Sequence, residues 1–198
     1  MTEDESGQGP EKRRKKRRQP LKATPKALER SALYYLDRYD TASGHLKRLL
    51  MAKVTLSARL YGTDPAEGAD AVERLIQRFL AAGVLDDSRF VRERLRSLRA
   101  RGTSQAMIRA RLRAKGVAAA LIDQAFDAQE ASGPNPDLAA ALTYAKRRRL
   151  GPFRQEDRAG RRDRDLAALG RQGFDYEIAK RVIDCEDPAQ LLSEYASD

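Results

Sequence analysis

The chain has 198 residues, 41% of them apolar and 34% charged, with no tryptophan and one cysteine, Cys185. Its formal net charge is +10 and its pI about 9.9. A lone cysteine excludes an intrachain disulfide, no apolar run approaches the ~20 residues a membrane span needs, and the excess of cations favours a polyanionic partner or an acidic protein surface.

Arginine outnumbers lysine 29 to 10, so GC-rich coding bias accounts for part of the basicity. The N-terminal basic stretch has no apolar segment after it and does not read as a secretory signal. A soluble, cytoplasmic monomer is expected.

In chain order, residues 1–24 are charged and apolar-poor, with seven consecutive cations at Lys12–Arg18. They are expected to form a disordered basic arm, serving either as a solubilising tail or as a flexible phosphate-binding segment. Leu28, Ala32, Leu33, Leu36 and Tyr39 then mark one face of a helix. A second helix from about Thr41 buries Leu46, Leu49 and Leu50 before Gly62 and Pro65 stop it. A third, from about Ala69 to Ala82, buries Val72, Leu75, Ile76, Phe79 and Leu80, and Gly83 ends it.

Asp86 or Asp87 is expected to cap the fourth helix, whose stripe is Phe90, Val91, Leu95 and Leu98. The fifth starts at Thr103 or Ser104, buries Ile108 and Leu112, and stops at Gly116. The sixth, near Ala118–Ala128, buries Leu121, Ile122, Ala125 and Phe126. After a linker at Gly133, Pro134 and Pro136, a seventh helix buries Leu138, Ala141, Leu142 and Ala145. An eighth runs from about Gln155 through Leu166 and Leu169 to Gly173, and a ninth covers Tyr176 to about Asp184. Pro188 leaves the acidic tail without an assigned helix, with Leu191, Leu192 and Tyr195 as residues that can dock on the last repeat.

A phrase recurs along this path. Leu75–Leu80, Leu121–Phe126 and Ile178–Ile183 each read as two apolar, two polar, then two apolar residues. Leu112 precedes Gly116-Val117 at the spacing at which Leu169 precedes Gly173-Phe174. One short helical unit cannot bury its apolar face alone, whereas stacked units can. The fold class expected is therefore all-α: an elongated array of three tandem three-helix repeats (26–83, 84–132 and 136–185), with the arm over 1–24 and an acidic tail over 186–198.

Catalytic chemistry is sparse. His45 is the only histidine, Cys185 has no C-x-x-C partner for zinc, and no phosphate-binding glycine motif appears. The expectation is no enzyme activity, no cofactor and no metal. The cations, by contrast, are organised. Arg89, Arg92, Arg96 and Arg99 line one side of a helix, Arg109 and Arg113 sit four apart on the next, Arg101 lies between them, and Lys146, Arg147, Arg148 and Arg149 close the seventh helix. Cations at a helix C-terminus also complement its dipole. Asp86–Gly116, however, holds ten basic residues against three acidic ones, an excess that intrahelical pairing cannot neutralise. These residues are the candidate surface for protein or phosphate.

Gly83-Val84-Leu85-Asp86-Asp87-Ser88-Arg89-Phe90, with Arg101-Gly102 and Ile108–Val117, resembles the central repeat of the RecX family of bacterial recombination regulators. Gln172–Ile178 is similar to the family's closing repeat, and Ala32–Leu36 fits its first. Arg111, where the family often has glutamate, and Leu85, where it often has tyrosine, depart from the pattern. The resemblance implies a binding protein without catalytic residues that lies in the groove of the RecA filament on DNA. It implies inhibition of the ATPase, strand-exchange and co-protease activities. A non-specific single-stranded nucleic-acid-binding protein acting indirectly on recombination is the alternative.

Overall fold

The structure, a computed structural model, describes residues 20–130 and 135–196. The expected arm up to residue 19 and the linker at Gly133-Pro134 lie outside the described residues. Among those described there are ten α-helices, one 3-10 turn and no strand. The chain is all-α, as its uniform three- and four-residue periodicity predicts.

The helices are α1 (Pro25–Leu36), α2 (Ser43–Tyr61), α3 (Pro65–Ala81), α4 (Asp87–Ala100), α5 (Gln105–Ala114), α6 (Ala119–Glu130), α7 (Pro136–Arg148), α8 (Arg158–Arg171), α9 (Tyr176–Asp184) and α10 (Pro188–Ala196). The 3-10 turn, Gly151–Phe153, follows α7. Two of these starts differ from expectation for one reason. Pro65 and Pro188 read as stops, yet each is the first residue of a helix, where its missing N–H and fixed φ cost nothing. The aspartate before each proline supplies the cap: Asp64 accepts from the Ala66 N–H at 2.8 Å, and Asp187 from the Ala189 N–H at 2.8 Å. Nine helices therefore become ten, and the tail is largely helix. Leu191 of α10 is buried against the core below it.

Three separate hydrophobic cores fill the chain. Leu28, Leu46, Leu50, Val54, Val72 and Phe79 build the first from α1, α2 and α3. Phe90, Val91, Ile108, Leu112, Ile122 and Phe126 build the second from α4, α5 and α6. Leu138, Leu142, Leu169, Val182 and Ile183 build the third from α7, α8 and α9. Extensive helix packing stays within each group, apart from α4 against α7. The helical groups thus succeed one another as a linear array, each with a core of its own.

The contacts between groups reuse the same parts. At the first junction, the residue preceding α2 is Ala42, which offers no capping oxygen. Asp87, at the start of α4, supplies one from the next group: it accepts from the Ser43 N–H at 2.7 Å and from the Ser43 hydroxyl at 2.5 Å. Asp86 meanwhile caps its own helix through the Arg89 N–H, so the two adjacent aspartates serve different helices. At the second junction, Asp137 near the start of α7 accepts from the N–H of Gln105, the first residue of α5, at 2.8 Å.

A glycine turn completes each junction. Gly116, at φ +77°, lies against Gly44 of α2. Gly173, at φ +79°, lies against Ser104, the residue that caps α5, and Ala106 of α5, and the Ser104 hydroxyl donates to the Gln172 carbonyl at 2.5 Å. Each glycine holds the left-handed position that closes its helix: Val117 N–H donates back to Leu112 O, and Phe174 N–H to Leu169 O. The Leu-x-x-x-Gly spacing in the sequence therefore encodes both a helix stop and a docking point.

Arg149 occupies the same left-handed position after α7, at φ +55°, and Leu150 N–H donates back to Ala145 O. A side chain is disfavoured there. Arg149→Gly is expected to stabilise the protein by about 0.5–1 kcal/mol, raising Tm in a thermal melt followed by circular dichroism. An unchanged or lower Tm contradicts this.

Candidate binding surface

The structure separates the predicted basic residues into exposed and internal sets. On α4, Arg92 is exposed with no partner among the described residues. Arg96 is 73% exposed and pairs with Glu93 at 2.9 Å. Arg89 is exposed and 3.9 Å from Asp40. Surface pairs of this kind hold little energy, so these guanidinium groups stay available to a partner. Arg101 and Arg113 are exposed as well.

Arg99 shares the sequence spacing of this row but not its exposure. Its side chain is 9% exposed and pairs with Asp137 of α7. It also donates to Gln129 at 3.3 Å and stands 5.6 Å from the Phe126 ring centre. Asp137 thus receives both Arg99 and the α5 N-terminus, which makes Arg99 part of the second junction. Arg109 is similarly engaged: it pairs with Asp123 of α6 and lies 4.5 Å over Phe126. Lys146, Arg147, Arg148 and Arg149 are all exposed. Arg147 is 5.6 Å from the Tyr144 ring, which is buried.

Two concavities gather cations that sequence spacing within single helices does not bring together. One, of about 340 Å³, is lined by His45 and Arg48 from α2, Arg94 from α4, and Arg111 and Lys115 at the end of α5. The other, of about 550 Å³, lies between α7 and α8 and gathers Arg148, Arg154, Arg161, Arg164 and Arg171 around Asp165. The second had a partial signal: Arg161, Arg164, Ala168 and Arg171 follow three- and four-residue steps along α8. The first had less: Arg111 and Lys115 sit four apart along one helix side, but its other members come from α2 and α4.

Asp165 is 1% exposed. Its carboxylate accepts from the Gly151 N–H at 2.9 Å and from Arg154 at 3.0 and 2.7 Å. Burial pushes its pKa up, but these hydrogen bonds and the charges of Arg154 and Arg161 outweigh that and hold it below its usual value. Asp184 is held low mainly by the fork from Arg162, with both bonds at 2.7 Å. Burial pushes the Cys185 thiol up, the opposite of what an activated nucleophile needs. Among the described residues, no group of three His, Cys, Asp or Glu side chains is arranged to hold a metal ion, and no helix is long and apolar enough to cross a membrane.

The chain is similar to known proteins along most of its length. The family model described as RecX, second three-helix domain, matches residues 86–125. The "Regulatory protein RecX" of Myxococcus xanthus is 38% identical over 184 residues, covering 91% of this chain and 97% of the relative. That of Agrobacterium fabrum is 29% identical over 167 residues, covering 83% of this chain and 86% of the relative. A solved structure, "Crystal structure of regulatory protein RecX", superimposes with a TM-score of 0.56 at 18% identity, covering 81% of this chain and 72% of that one. At that identity the superposition bears on the fold alone.

Proposed function

The chain belongs to the RecX family of regulatory proteins, and from that premise we propose that it is a negative regulator of the RecA recombinase. In this reading it binds the recombinase filament on DNA and lowers its ATPase, strand-exchange and co-protease activities without chemistry of its own. It acts as a cytoplasmic monomer. Its working units are repeats over 26–83, 84–132 and 136–185. The observation that carries the reading is the row of solvent-facing guanidinium groups at Arg89, Arg92 and Arg96 on the central group. Arg101, Arg113 and Lys146–Arg149, also exposed, are the further contacts of this reading. A linear array presents such residues at intervals, and weak contacts repeated along a polymer add through effective concentration.

The test is recombinase ATPase at substoichiometric to equimolar protein. The wild-type chain is expected to suppress it. Arg92→Glu with Arg96→Glu is expected to weaken suppression about tenfold or more, since rim charges act mainly on association, with helicity unchanged. An ATPase rate undiminished by folded wild-type protein sinks the proposal. The two cationic concavities favour a second reading, non-specific single-strand binding with an indirect effect on recombination. In that case the chain alone binds a strand tightly, with affinity falling steeply in salt.

A further inference from the structure

The cleft at the first junction is cationic without compensation. Arg48, Arg94, Arg111 and Lys115 line it, and no carboxylate does. None of the four has an ion pair to an acidic residue among the described residues. The geometry is nevertheless held in place. Arg48 donates to the Ala114 carbonyl at 2.5 Å, tying α2 to the end of α5. The Gly44–Gly116 contact beside it lets the two backbones meet. His45 stands between the cations, with Nδ1 3.5 Å from Arg48 and Nε2 3.5 Å from the Lys115 ammonium. The Tyr35 ring of α1, 6.2 Å away, covers another side.

Converging like charges repel one another, and a cluster of them in a cleft is a feature that ligand sites share. We infer that this cleft is a binding site for a phosphoryl group. A carboxylate offers two oxygens in one plane, enough for one guanidinium fork. A phosphoryl group offers three or more oxygens in a tetrahedral arrangement, which suits cations arriving from three different helices. The phosphoryl group comes either from a nucleic-acid strand or from a free polyphosphate.

His45 gives the site its own signal. Partial burial, then Lys115, then Arg48, hold its pKa below the ordinary value. An anion seated among these cations opposes their local field and favours the imidazolium. Binding therefore takes up a proton and strengthens as pH falls through the histidine's range.

His45 is the only histidine, so its ring protons can be followed by NMR in the full chain without recombinase present. The pH titration is run in sodium chloride, in pyrophosphate, and with an oligothymidylate, all at matched ionic strength. A midpoint raised by pyrophosphate and by the oligonucleotide supports the site. A rise with only one of them also supports it and identifies the source. No rise with either beyond the chloride control overturns it. Arg111→Gln, at an exposed position that holds no fold contact among those described, is expected to weaken the effect about tenfold. An unchanged effect in Arg111→Gln also overturns the assignment. Because recombinase is absent, failure here leaves the filament proposal standing, and the reverse holds.

Discussion

Asp165→Ala is expected to lower stability by about 1–3 kcal/mol, because it removes a buried carboxylate and leaves the Gly151 N–H and the partly exposed Arg154 without their hydrogen bonds. The carboxylate is the only acidic lining residue of the α7–α8 concavity. Without it Arg154 loses two hydrogen bonds and the Gly151 N–H loses one, at a turn packed directly against Ile183. The third core contains Ile183, so the damage spreads from a polar contact into apolar packing. Asp165→Asn, which keeps the shape and an acceptor but not the charge, is expected to cost less. Denaturant unfolding compares the three proteins. A loss below about 1 kcal/mol for the alanine variant contradicts the expectation.

The same contact sets an acid sensitivity. Asp165 has a folded pKa below its unfolded one, so its stabilisation is complete above the unfolded carboxylate value of about 3.9. It is lost as pH falls through the still lower folded value. In wild type the extra stability fades below about pH 4, whereas in Asp165→Asn that part of the pH dependence is absent.

Gly44→Ala opposes local preference to tertiary packing. Gly44 lies in the first turn of α2, where alanine is worth about 0.5–1 kcal/mol more than glycine in a helix interior. The added Cβ, however, lies 2.9 Å from both Cα and the carbonyl carbon of Gly116, and closer still to its oxygen. Backbone cannot swing aside as a side-chain tip can. The α5–α6 turn must move off α2, and with it the hydrogen bond from Arg48 to Ala114. A net loss of about 1–3 kcal/mol is expected, together with loss of the histidine response to pyrophosphate. A Tm equal to or above wild type means that the turn gives way easily.

The helices were legible because apolar residues at three- and four-residue steps leave little choice of local structure. So were the stops at Gly83, Gly116 and Gly173. The Asp-Pro pairs were misread as breaks because proline ends one helix and begins another by the same property, its missing N–H. The surface was only half legible. The spacing of Arg89, Arg92, Arg96 and Arg99 fixes their order around one helix but does not say where a neighbour crosses. Asp137 and α7 arrive at Arg99 and withdraw it, while Arg92 stays in solvent. His45 carries no pattern in the sequence, since Lys115 and Arg111 reach it only when Gly44 meets Gly116.

The junctions carry one more consequence. Each is sealed by an aspartate on a helix start and by a glycine turn, while the apolar interiors stay largely within the groups. Polar seams between domains resist shear poorly compared with a shared apolar interior. The two junctions are thus where the chain is expected to yield first, ahead of any of its three interiors.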